Sequence, residues 1–130
     1  MTRIGIGILA ACVMSASAAF AHHSFSAVYF EERSVAIEGP IEEFQYRNPH
    51  AWVMVRVAEP AGPVIYAAEW AGAGRLGRLG ITAETLKPGD MVKITGAPGR
   101  TASEYRIHLK KIERPADGWT WGNERGGRRR

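Results

Sequence analysis

Apolar residues in this chain recur at every second position, in runs too short for helices of ordinary length. Val53, Val55 and Val57 alternate with Trp52, Met54 and Arg56. Val64, Tyr66, Ala68 and Trp70 repeat the pattern, as do Val92 with Ile94, and Tyr105 with Ile107 and Leu109. Alternation sends successive side chains to opposite faces, so these runs read as half-buried strands. Turn formers separate them: Glu59-Pro60-Ala61-Gly62-Pro63, Lys87-Pro88-Gly89-Asp90 and Pro115-Ala116-Asp117-Gly118.

The first run, Ser34 to Tyr46, places Val35, Ile37, Gly39 and Ile41 on one face before the phase slips to Phe44 and Tyr46. A slip beside Gly39-Pro40 predicts a bulge or bend in a long strand. Arg47-Asn48-Pro49 ends it in an extended or turn dipeptide. Gly72 to Gly80 holds one short helical turn anchored by Leu76 and Leu79, and Thr82 caps a second turn. Trp119 and Trp121 form a short sixth strand that leaves both rings exposed. The element order predicts an all-β fold: a small OB-like closed barrel of five to six strands, with one short helix or turn between strands three and four. A long, bent first strand suits a barrel, because it serves both sheets. An open antiparallel sandwich is the alternative.

The two ends lie outside that pattern. Arg3 precedes an apolar run rich in Gly, Ala and Ser, and Ala19-x-Ala21 closes it as a signal-peptidase site does. The expected division is a signal peptide over 1–21, a barrel domain over 22–122 and a disordered basic tail over 123–130. Cleavage at Ala21/His22 sends the protein to the periplasm or outside the cell. Leu9-Ala10-Ala11-Cys12 resembles a lipoprotein box and offers Cys12 lipidation as the competing fate. Cys12 is the sole cysteine, so the mature chain has neither a disulfide nor a thiolate metal site. The chain carries 17 basic and 13 acidic residues. Their excess lies in the leader and in the tail that ends Gly-Gly-Arg-Arg-Arg, and residues 22–113 carry equal numbers of each sign. A neutral body and export argue against nucleic-acid binding. No stable membrane span is expected.

His22-His23-Ser24-Phe25, Asn48-Pro49-His50 with Trp52, Trp70, and Leu86-Lys87-Pro88-Gly89-Asp90 follow one another along the mature chain. In these motifs the protein resembles a large family of small exported bacterial proteins of unknown function. Two features depart from the family's pattern: the glycine-rich Gly72–Gly80 segment and the arginine tail. The resemblance implies a fold and a compartment but no activity.

Chemistry therefore rests on the residues. After cleavage, the α-amine and ring of His22 close a chelate on a metal ion. A ring from elsewhere completes a three-nitrogen set, which resembles the histidine brace of copper monooxygenases and periplasmic copper carriers. Copper suits imidazole and amine nitrogen and outcompetes the other divalent first-row ions. The second ring is His50, on the turn entering the second strand, with His23 in reserve should His22 be displaced. The competing reading makes Phe25 an N-terminal strap and His50 a turn residue bonded to the backbone. His108 faces out of the core, as a solvated strand residue. Glu31-Glu32 and Glu42-Glu43 read as charged surface, since neighbours on a strand cannot converge on one substrate. No nucleophile elbow and no phosphate loop is present. The expected function is a non-catalytic periplasmic binding protein for copper or for an unknown periplasmic partner. The alternatives are a metal-free structural or protein-interaction module and a copper-dependent oxidase.

Overall fold

The structure, a computed structural model, describes residues 25–123. Six strands run in chain order: β1 (Val35–Gln45), β2 (Trp52–Val57), β3 (Val64–Glu69), β4 (Met91–Pro98), β5 (Arg106–Arg114) and β6 (Trp119–Gly122). One helix, α1 (Ala73–Arg78), lies between β3 and β4, where the sequence places it. The sheet order is β3-β2-β1-β4-β5-β6, and a further pairing of β3 with β5 closes the first five strands into a barrel. Every pairing is antiparallel except that closure, where Ala67, Ala68 and Glu69 run parallel to Arg106, Ile107 and His108.

β1 serves two neighbours. Val35–Pro40 pairs with β4, and Ile41–Gln45 pairs with β2 across a bulge between Ile41 and Glu43. Gly39 stands at this switch, where a Cβ would lie 2.0 Å from the Arg56 carbonyl oxygen. Only a residue without a side chain lets the two strands approach so closely. The predicted bend is present, two residues past Pro40.

The core holds Ile37, Ile41, Val53, Val55, Ala68, Trp70, Val92, Ile94, Ile107, Leu109 and Ile112, the inward members of the alternating runs. Each of the Val, Leu and Ile side chains among them contributes about 1.5–3 kcal/mol on burial. Phe44 and Trp121 pack their rings against Trp70, at 6.2 and 5.0 Å between centroids. Trp119 and Trp121 are half-buried against the core, not exposed as the sequence predicts, because β6 folds back over the barrel wall. Two further expectations need correction. Leu79 is 56% exposed because it caps the end of α1, and Leu76 alone anchors the helix. Tyr105 sits outside β5 in the left-handed region, at φ 47°, after a 3-10 turn over Ala102–Glu104. The Asn48-Pro49 bond is cis. Among the described residues, no helix is long and apolar enough to cross a membrane.

Candidate functional site

The segment before β1 forms a strap on the outside of the barrel, across the β3–β5 closure. Residues 25–28 make one helical turn, closed by Tyr29 N donating to the Phe25 carbonyl at 2.7 Å. Tyr29 then bridges Gly99. Phe30 N donates to the Pro98 carbonyl (2.9 Å), Arg100 N to Val28 (2.8 Å) and Arg100 Nε to Ser26 (2.7 Å). The Arg33 and Arg100 guanidinium groups lie 4.0 and 4.5 Å from the centre of the Phe30 ring, a cation–π contact that fixes the strap's far end.

Beneath the strap, the outward face of the closure is polar. Glu69 ends β3 opposite Trp52 on β2 and His108 on β5, and is 7% exposed. A buried carboxylate requires donors, and three converge on it. His50 Nδ1 lies 2.5 Å from Oε1. The Tyr29 hydroxyl and Arg106 Nη2 both donate to Oε2, the latter at 3.3 Å. Burial, then the hydrogen bond and charge of Glu69, push the Tyr29 hydroxyl well above its ordinary pKa, and Arg106 only partly offsets them. The Arg106 guanidinium also lies 5.2 Å from the Trp52 ring and 5.6 Å from the Tyr29 ring. Both backbone groups of the next residue, Ala51, are bonded, which fixes the position of His50. Ala51 N donates to Ala71 (3.1 Å) and Trp70 N to Ala51 (2.9 Å), so the entry to β2 is locked to the exit from β3.

A second histidine sits beside the first. His108 Nδ1 lies 2.6 Å from Glu31 Oε1, and Lys110 Nζ donates to Glu31 Oε2 at 2.6 Å. The Phe25 ring stacks on both imidazoles: at 4.1 Å and 7° on His108, and at 5.2 Å and 24° on His50. Phe25 is therefore the strap residue that the sequence proposes, and its seat is made of histidine rings.

His108 and Glu31 correct the sequence reading. His108 does face out of the core, but its side chain is only 17% exposed because the strap covers it. Glu31 belongs to the strap and is held by the His108 ring and the Lys110 ammonium, so it is not free charged surface. Glu42 fits that description better, exposed and paired with Arg56. The His50 expectation stands apart from both: His50 contacts a carboxylate rather than a backbone carbonyl, while His22 and His23 lie outside the described residues. Glu69, Tyr29 and Arg106 escaped the sequence analysis. A carboxylate in the run Tyr66-Ala67-Ala68-Glu69-Trp70 was the available signal, since an acid inside an apolar strand implies a partner. Among the described residues, no group of three His, Cys, Asp or Glu is placed to hold a metal ion. A separate polar hollow around Glu84, Lys87, Asp90 and Asp117 is closed by Arg114, which donates to Asp90, Asp117 and the Thr85 carbonyl.

The pH behaviour of the strap follows from its ionisable groups. Burial pushes the His108 ring below the usual histidine range; the Glu31 hydrogen bond opposes this and Lys110 reinforces it. Burial alone would raise Glu31, but the bonds from Lys110 and His108 together hold it below the usual carboxylate range. A depressed histidine is neutral in the fold and takes up its proton more readily when unfolded. Stability is then complete above about pH 6.5 and falls as the pH drops below that value. The depressed Glu31 adds a second loss below about pH 4.3. The expected result is an acid limb in urea-unfolding free energy that begins near pH 6.5. In His108→Gln, which removes the titration, the loss should begin only in the carboxylate range. Coincident pH profiles for the two proteins would contradict the assignment.

A family model whose description assigns no function matches residues 10–111 of the chain. A comparison with curated proteins finds no match.

Proposed function

The chain belongs to DUF6152, a family of unknown function, and we propose that it is a small exported binding protein of the periplasm that holds copper through His22 and His50 and has no catalytic centre of its own. The observation that carries this reading is the seating of Phe25 on the His50 ring at 5.2 Å. Residue 22 lies three positions earlier, and three residues span at most about 10–11 Å. The His22 amine and ring are therefore within the chain's reach of His50. The state of His50 supports the same reading. Its Nδ1 is bonded to Glu69, and among the described residues Nε2 has no hydrogen-bond partner. Metal-bound histidines typically have one ring nitrogen tied to a carboxylate and the other on the metal. The α-amine and neutral imidazoles favour copper over harder ions. His23 is the substitute donor if His22 is displaced.

The test is to purify the protein after native export, confirm by intact mass that it begins at His22, and titrate it with Cu(II). A three-nitrogen site gives tight binding that is lost in His50→Ala by more than the ~10–100-fold that a missing supporting partner costs. Binding of about 1 µM or weaker, or tight binding unchanged in His50→Ala, overturns the reading. The fit of Phe25 against the two rings favours one other function, a metal-free interaction module in which the strap is purely structural. Such a protein would show native folding and no specific copper uptake.

A further inference from the structure

We propose that Glu69 is the positioning residue of this site, the group that makes His50 Nε2 a metal-binding nitrogen. The inference rests on the copper reading for its purpose but not for its geometry. A carboxylate only accepts hydrogen bonds, so the 2.5 Å contact has Nδ1–H donating to Glu69 Oε1. Placing the proton on Nδ1 leaves the lone pair of the neutral ring on Nε2.

The other oxygen explains why the arrangement cannot turn over. Oε2 receives the Tyr29 hydroxyl and Arg106 Nη2. Arg106 has donors only, so an acceptor must always stand at the Oε2 position. Tyr29 is fully buried and Arg106 is braced over the Trp52 and Tyr29 rings, which leaves little room to rearrange. Three residues from three elements therefore hold one carboxylate in one orientation, and that carboxylate sets one proton.

This predicts an unusual effect of an isosteric change. In Glu69→Gln, the side-chain oxygen must take the Oε2 place to meet Arg106, and the amide NH2 then occupies the Oε1 place. An NH2 donates, so His50 Nδ1 must accept. The proton moves to Nε2, and the metal-binding lone pair is lost while the shape of the site is kept.

The experiment is 15N-detected NMR of the histidine rings in the metal-free protein at mildly alkaline pH, together with Cu(II) titration of wild type and Glu69→Gln. The expected result is a His50 ring protonated on Nδ1 in wild type and on Nε2 in the variant. Copper affinity should fall ~10–100-fold, with the circular-dichroism spectrum unchanged. An Nε2-protonated His50 in wild type overturns the proposal even if the variant fails to fold. So does a variant that keeps both the tautomer and the affinity. The two readings fail separately. Wild type that binds no copper yet shows the tautomer exchange removes the metal reading and leaves Glu69 as the residue that orients His50. Tight copper binding with no exchange does the reverse.

Discussion

Trp70→Ala is expected to lower the unfolding free energy by about 3–5 kcal/mol, the largest loss available from a single truncation in this barrel. Trp70 is 2% exposed and forms the floor against which Phe44 and Trp121 pack. Removing the indole leaves a cavity lined by rings held on β1 and β6, and strands cannot move together to fill it. In a domain of this size, such a loss lowers Tm by roughly 12 °C or more. The indole Nε1 complicates the site in a useful way. It is buried and has no hydrogen-bond partner among the described residues. An unpaired buried donor costs about 1–3 kcal/mol relative to a bonded one. Trp70→Phe gives up some volume but also removes that donor, so it should be destabilised far less than Trp70→Ala. Urea titrations of the three proteins measure the difference. Equal losses for Phe and Ala would contradict this account of the site.

Gly96→Ala should also be strongly destabilising, for the opposite reason. Gly96 lies on β4 beside a register shift, and a Cβ there would stand 2.0 Å from the His108 carbonyl oxygen and 2.9 Å from its carbonyl carbon. Both are backbone atoms, so no side chain can rotate away. β4 and β5 must separate, at about 3 kcal/mol, the upper end of the usual overpacking range. The displacement falls on His108 itself, so the strap should loosen with it. The expected signature is a lower Tm and the loss of the upfield shift that the Phe25 ring imposes on the His108 ring protons. A variant as stable as wild type, with that shift intact, would contradict the close approach.

The barrel was legible because its strands are half-buried. Alternation survives residue for residue in β2 and over Met91–Ile94 of β4, where one face of the strand meets the core, and is lost at the end of β3 and from Ile94 to Ala97 of β4, where both faces are covered. The errors arose where local phase was the only guide. Tyr105 is in step with Ile107 but belongs to a turn, and Leu79 is one helical turn from Leu76 but caps the end. His108 shows a deeper limit. Alternation correctly directs it away from the core, but it says nothing about what covers the outer face. Its partner Glu31 is 77 positions away. Glu69 meets Tyr29 across 40 positions and Arg106 across 37. Such groupings come from tertiary closure and have no local sequence pattern. His50 was identified by its residue type and its turn, but the carboxylate that orients it was not.

The one pairing whose two strands run in the same direction, β3 with β5, has a further consequence. Every hairpin in this chain can form from neighbouring segments, but Glu69 meets Arg106 and lies opposite His108 only after the ends of the sheet have met. Contacts between remote segments form late because the intervening loop must first be closed. A nascent or partly folded chain thus has the histidines but lacks their framework. Occupancy of this site would accordingly report a completed molecule, and the strap would be the last piece laid down.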